Sequence, residues 1–219
     1  MKLLLLITIA IASVLCSNEV LSGQARTQSP PTPFEDVGAC PFEGCTYREW
    51  TAKETVAIRA ARRTSELAFT VKAGEKVTAL TGVVVTLRPG RVQFRERTTL
   101  RSASGSVQVV PGETLYLLTY QGEGFTKAWL RGQLLTDVDT SQFMNSVCDA
   151  QPSRCVGKVL EESRTEWWVQ VRNRSGTVGW TREPEKFDGK DALSGLSSKS
   201  PPGAANDERA IKTLSLIHI

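Results

Sequence analysis

The sequence predicts an all-β chain made of small, barrel-like β units, and three observations carry that expectation. Apolar and polar residues alternate over short spans such as 76–80, 91–94 and 114–120, with Gly, Pro or polar turn residues between them. Residues 73–81 recur as residues 111–119, sharing glycine, glutamate, leucine and threonine at matched places, so a turn that launches a strand occurs twice. Residues 166–180, EWWVQVRNRSGTVGW, read as a hairpin around Asn173-Arg174-Ser175-Gly176. Only 140–148 and 159–163 suit a short helical turn.

From the N-terminus, Lys2 precedes an apolar run over residues 3–15. That is shorter than the about 20 residues a membrane-spanning helix needs, and it suits the core of a signal peptide. Residues 1–25 are therefore expected to be a signal peptide, cut after Ala25 or, as the alternative, Ser22. No transmembrane segment is expected in the mature chain. Cys16 follows the apolar run as a lipidated cysteine would, but bulky Leu15 sits where that site prefers a small residue. Residues 26–39, with Ser29-Pro30-Pro31-Thr32-Pro33, read as a flexible tether.

Export changes how the cysteines are read. Without Cys16 there remain Cys40, Cys45, Cys148 and Cys155, an even set that favours two disulfides in an oxidising compartment, periplasmic or secreted. Three pairings are possible, and the local one, Cys40 with Cys45 and Cys148 with Cys155, needs the least long-range closure. Zinc is disfavoured by the spacings and by the lack of histidine partners. The chain's one histidine, His218, lies within 214–219, a stretch that matches the translation of a transposon-end sequencing adapter. Histidine-dependent nucleophilic catalysis and histidine-ligated metal chemistry thus have no member in the body of the chain. No cofactor is expected. The net charge of +4 is spread over arginines along presumed strands, which reads as solvated surface and not as a nucleic-acid patch. Residues 189–219 are polar, lack periodicity and are expected to be disordered.

Val56-Ala57-Ile58-Arg59, Lys72-Ala73-Gly74-Glu75-Lys76-Val77-Thr78-Ala79-Leu80, Trp168-Val169-Gln170-Val171 and Ser175-Gly176-Thr177-Val178-Gly179-Trp180 form a further pattern. In these motifs the chain resembles the bacterial SH3-like (SH3b-type) domains of exported proteins. Their pattern is V-x-V-R, then K-x-G-x-x-V-x-V-L, then W-x-x-V, a turn and G-x-x-G-W-V. The departure is the long stretch between the two halves, which holds the second copy of the repeat. The resemblance therefore implies two small SH3-like β-barrels, one inserted into a loop of the other, with a plain tandem pair as the alternative. The outer unit would span 40–90 and 141–188 and the inserted one 91–140. Residues 50–85 would then pair with residues 165–183, and Cys148–Cys155 would clip the return crossing.

The resemblance further implies a non-catalytic binding or scaffolding module of the cell envelope that recognises peptidoglycan or an extended peptide of an envelope protein. Alternation divides the two adjacent tryptophans: Trp167 shares a face with Val169 and Val171, and Trp168 shares one with Gln170 and Arg172. Trp168, Gln170 and Arg172 are thus candidate ligand residues, unless Trp168 packs against the inserted unit. Tyr120 and Phe125, with Tyr116, flank the Gly122-Glu123-Gly124 turn and form a second candidate patch, with core packing as the competing role. Carboxylates are the remaining catalytic option, as Glu161-Glu162 or Asp137 and Asp139. Neighbours in sequence need not converge on one substrate atom, so no catalytic residue is assigned. Asp137-x-Asp139-x-Ser141 lacks the glycine and terminal glutamate of a calcium loop. The alternative function is a small carboxylate-dependent wall hydrolase or a protein inhibitor.

Overall fold

The structure, a computed structural model, describes residues 29–144, 148 and 155–193. The expected signal peptide, the Cys16 site and the adapter-like end fall outside those residues. Short strands dominate, as the alternation requires. β1 (Phe34–Val37), β2 (Glu49–Ala52), β3 (Val56–Arg59), β4 (Leu67–Val71) and β5 (Lys76–Arg88) come first. β6 (Gly90–Phe94), β7 (Thr98–Ser102), β8 (Gly105–Val109), β9 (Thr114–Gly122), β10 (Phe125–Leu130), β11 (Gln133–Asp139) and β12 (Gly157–Glu161) follow. β13 (Arg164–Arg172), β14 (Val178–Thr181) and, after a 3-10 turn at Pro184–Lys186, β15 (Phe187–Asp188) complete the set.

In the first sheet, a curled half-barrel, the strands lie in the order β15-β2-β5-β13-β14-β3-β4, and β1 adds to β5. The second sheet runs β11-β10-β9-β6-β12, with β7 and β8 as a separate hairpin. The chain leaves the first sheet after Arg88, builds the second, and returns at Arg164. Along β5 and β13, Thr86 stands opposite Thr165 and Thr78 opposite Arg172, and Trp180 of β14 meets Arg59 of β3. Gly179 permits that last approach, because a Cβ there would stand 2.6 Å from Ile58 Cγ2 and 2.7 Å from the Arg59 carbonyl oxygen.

Both sets of strands follow one plan. β2 pairs β5, β5 pairs β13, β13 pairs β14 and β15 pairs β2, just as β6 pairs β9, β9 pairs β10, β10 pairs β11 and β12 pairs β6. The recurring turn is reproduced bond for bond. The Gly74 N–H donates to the Ala52 carbonyl at 2.8 Å, and the Gly112 N–H to the Phe94 carbonyl at 2.9 Å. The Lys72 N–H donates to the Glu75 carboxylate at 2.8 Å, and the Val110 N–H to that of Glu113 at 2.7 Å. Both glycines sit at left-handed φ, +82° and +87°, where a Cβ is unfavourable. The shared glycine and glutamate therefore encode a turn that sets the start of β5 and of β9.

Each set encloses its own core. Trp50, Ala52, Val56, Ile58, Val71, Val77, Val169, Val171 and Phe187 are buried together in the first. Val92, Phe94, Leu100, Val109, Leu115, Leu130, Leu135 and Phe143 are buried in the second. Burial of side chains of this size contributes about 1.5–3 kcal/mol each. Polar bonds at the junction join the sets. Thr86 Oγ1 donates to the Leu118 carbonyl at 3.0 Å, and Ser163 Oγ donates to the Leu117 carbonyl at 3.1 Å. Lys127 Nζ pairs with the nearly buried Asp36 at 2.7 Å.

Two expectations change. Residues 34–37, expected within a flexible tether, form β1 on the edge of β5, and Arg62 and Arg63 bind Glu35 at 2.6 and 2.9 Å. Backbone pairing and those ion pairs hold a segment that composition alone reads as loose. Residues 157–161, expected in the outer unit and partly as a helical turn, form β12 and pair with β6. The strands intervening between β5 and β13 thus extend beyond 91–140. The disulfides are Cys40–Cys45 and Cys148–Cys155, the local pairing. They suit an oxidising, exported environment. Among the described residues, no helix is long and apolar enough to cross a membrane.

Candidate functional site

The five candidate ligand residues separate into two places. Trp168, Gln170 and Arg172 lie on the outward face of β13. Trp168 is only 7% exposed, in a small cluster with Val83, Val85, Leu87 and Trp180, all from its own sheet. The Arg182 guanidinium stands 5.8 Å over its ring, and its Nε1–H donates to Glu166 at 3.4 Å. Alternation separates the two tryptophans correctly, but both sides are covered. Trp167, half-buried, meets Phe42 edge-on at 5.7 Å and donates to the Tyr47 hydroxyl at 3.2 Å. Gln170 is half-buried and Arg172 exposed.

Tyr120 and Phe125 come together. A register shift in the β9–β10 ladder pairs Leu117 with Ala128 and then Tyr120 with Thr126, which brings Tyr120 onto the side of the sheet that Leu117 occupies. Gly122, Glu123 and Gly124 all have left-handed φ, at 94°, 48° and 82°, so the chain reverses tightly and places Phe125 beside Tyr120. The two rings line a cavity of about 440 Å³ with Leu117 and Met144 as its other apolar walls. Thr140, Ser141 and Ser163 supply hydroxyls at its rim, and Glu123, Asp139 and Glu162 supply its charges; among the described residues no cationic side chain lines it.

The rim is tied in place. Thr140 Oγ1 donates to the Gly124 carbonyl at 2.6 Å, and the Ser141 N–H donates to Asp139 Oδ1 at 2.8 Å. On the far side, the Tyr120 hydroxyl donates to Glu43 at 2.9 Å, and the same carboxylate accepts the Glu123 N–H at 2.8 Å. Burial, and then the Glu43 carboxylate, push the Tyr120 phenol above its ordinary range, so it remains a donor. Glu43 lies in the Cys40–Cys45 loop, whose Phe42 packs on Trp167 and whose Gly44 carbonyl accepts the Ala192 N–H at 2.7 Å. This small covalent loop therefore fixes one wall of the site.

Sequence reading missed Glu43, Leu117, Met144, Thr140 and Ser163. Glu43 and Tyr120 are 77 residues apart, and no local pattern announces such a contact. Of the carboxylate candidates, Glu161 is held by Arg88 and Arg91 at 2.9 and 3.0 Å and lines a different cavity from Glu162. The two adjacent glutamates thus do not converge. Asp137 sits at φ 51° with its N–H on Gln121, whereas Asp139 reaches the groove. Among the described residues, no group of three or more His, Cys, Asp or Glu is placed to hold a metal. No family model matches the chain, and neither a curated protein nor a solved structure does.

Proposed function

We propose that this chain is a non-catalytic binding module of the cell envelope, built as one SH3-like barrel inserted into a loop of another. In this reading the groove of Tyr120 and Phe125 receives an extended peptide, such as a peptidoglycan stem peptide. The observation that carries it is the groove itself: two aromatic rings and two aliphatic side chains form its walls, and hydroxyls and carboxylates converge at its rim. Concave, mainly apolar sites with a few fixed polar groups are how small ligands and peptides are usually held. Trp168, Gln170 and Arg172 contribute less than the sequence suggests, because the tryptophan is already packed.

The test is a pull-down with purified sacculi, followed by titration with soluble stem peptide. Wild-type protein should be retained, and Phe125→Ala and Tyr120→Ala should lose most of that retention while keeping the wild-type circular dichroism spectrum. Equal retention of Phe125→Ala would remove the groove from the reading, and no retention of the wild type would remove the ligand class. One observation favours a second reading, a carboxylate-dependent wall hydrolase: Asp139 and Glu162 line the same groove. Release of soluble muropeptides by the wild type, abolished in Glu162→Gln, would replace the binding reading with that one.

A further inference from the structure

The duplicated plan gives a second site. At one end of the second strand set, the two-residue turn Arg131-Gly132 joins β10 to β11, with Leu130 opposite Gln133. Arg131 has a left-handed φ of 50°, and its guanidinium folds back onto the recurring turn. Its Nε donates to Glu113 Oε1 at 2.5 Å, while one terminal nitrogen donates to Glu113 Oε2 at 2.6 Å and to the Gln108 carbonyl at 2.9 Å. A forked cation thus fills this end of the second set.

The matching end of the first set is open. Register equates Glu75 with Glu113 through the recurring turn. It equates Thr70 with Gln108, because Ala57 faces Thr70 as Thr99 faces Gln108. Both Glu75 and Thr70 line a cleft of about 560 Å³, with Phe69, Val71 and Val77 as its apolar side. Glu75 keeps its bond to the Lys72 N–H, the counterpart of the Val110 N–H on Glu113, but among the described residues it has no cationic partner. The residue in the place of Arg131 is Arg174, which lines the cleft but forms no ion pair with Glu75. Its turn is longer by one residue: the Asn173 N–H donates to the Thr177 carbonyl at 3.0 Å, with Arg174, Ser175 and Gly176 between. Gly176, at φ 89°, now takes the left-handed position, and Asn173 Oδ1 holds the turn through Ser175 and the Thr177 N–H. The other cation at the rim, Lys76, is already paired with Glu49 at 2.7 Å.

We propose that this cleft binds the arginine side chain of an extended partner peptide, which takes on Glu75 and the Thr70 carbonyl the place that Arg131 takes on Glu113 and the Gln108 carbonyl. The molecule supplies its own template for the complex, since the same carboxylate, on the same turn, is already occupied once by a guanidinium. A planar fork reaches the carboxylate and the carbonyl together, which a lysine ammonium, a single point of charge, does less well. Phe69 and Val71 offer the aliphatic stem of the arginine an apolar wall.

The experiment is an amide NMR titration of the disulfide-intact chain with acetyl-Gly-Arg-Gly-amide, and with lysine and citrulline versions as controls. The arginine peptide should shift the amides of Gly74, Glu75 and residues 174–176, the lysine peptide should shift them less, and the citrulline peptide should leave them in place. Glu75→Gln should abolish the shifts, whereas Phe125→Ala should leave them unchanged. Arg131→Ala should open the second set and add a second group of shifts at Gly112, Glu113 and Thr114. Absence of shifts in the wild type, or shifts that survive Glu75→Gln, overturns the proposal. Shifts that occur only in Arg174→Ala also overturn it, because the cleft would then belong to the chain's own arginine.

Discussion

The two strand sets share a plan but fill it with different residues, and the difference shows what the plan depends on. The first set places Trp50 and Ala52 on the strand that begins it; the second places Val92 and Phe94 at the matching positions of β6. Large then small has become small then large, and all four residues are buried. Core volume is thus conserved across the strand while side-chain identity is exchanged, which packing tolerates better than a net change in volume. What stays fixed is the turn chemistry, the glycine at left-handed φ and the glutamate that caps the preceding backbone N–H. The sets also differ in continuity. The second is one stretch of chain from β6 to β12, whereas the first is completed only when β13 returns.

Continuity predicts a one-way dependence, which also carries the largest effect. Trp50→Ala and Phe94→Ala each remove a fully buried aromatic side chain and should cost about 3–5 kcal/mol. Their reach should differ. If the second set unfolds, the ends of β5 and β13 must be held together across a long unfolded loop, a closure term on the order of 4 kcal/mol. Phe94→Ala should therefore lower hydrogen-exchange protection in both sets, and Trp50→Ala mainly in the first. Equal loss in both sets from Trp50→Ala would show a single cooperative core and end the distinction.

The stem between the sets offers a smaller effect. Gly82 lies in β5 opposite Val169, under Trp167 and Tyr47. A Cβ there would stand 2.6 Å from Trp167 Nε1 and would also collide with the Tyr47 hydroxyl. Gly82→Ala should cost about 1–3 kcal/mol by overpacking, read as a lower urea midpoint with altered tryptophan emission. An unchanged midpoint would mean that the Tyr47–Trp167 contact yields easily and that the stem is not close-packed at this point.

Features with a local cause were legible in the sequence. Strand alternation, the recurring turn, the 166–180 hairpin and the two short disulfide loops all follow from neighbours in the chain. So does the meeting of Tyr120 and Phe125 across the Gly122-Glu123-Gly124 reversal. Two kinds of feature were hidden. One is coverage from a distance: Arg182 over Trp168 and Glu43 beneath Tyr120 depend on side chains from other elements, so alternation could name a face but not its exposure. The other is strand ownership, since residues 157–161 read as part of the outer unit, and only their pairing with β6 places them in the second set. The β2–β6 correspondence is hidden for a related reason, because exchanging Trp50-Thr51-Ala52 for Val92-Gln93-Phe94 keeps the volume and discards the identity.

The finest difference between the sets is the ion pair at their ends. The Arg131 guanidinium, and then the Val110 N–H, hold the Glu113 carboxyl below its ordinary range. A carboxyl depressed in the folded state stabilises the fold above its unfolded value of about 4.3, and that contribution disappears as pH falls through the folded value. The guanidinium is half-exposed, so solvent screens the pair and its worth is under about 1 kcal/mol. Glu113→Gln should accordingly lower the urea midpoint slightly at pH 7, and the gap from wild type should close as the pH is taken below about 4. Glu75→Gln removes the same turn carboxylate where, among the described residues, no guanidinium is paired with it, so its gap at pH 7 should be smaller. If the two substitutions cost the same at pH 7, the capping of the turn matters and the arginine does not, and the open end of the first set would differ from the closed end of the second in shape alone.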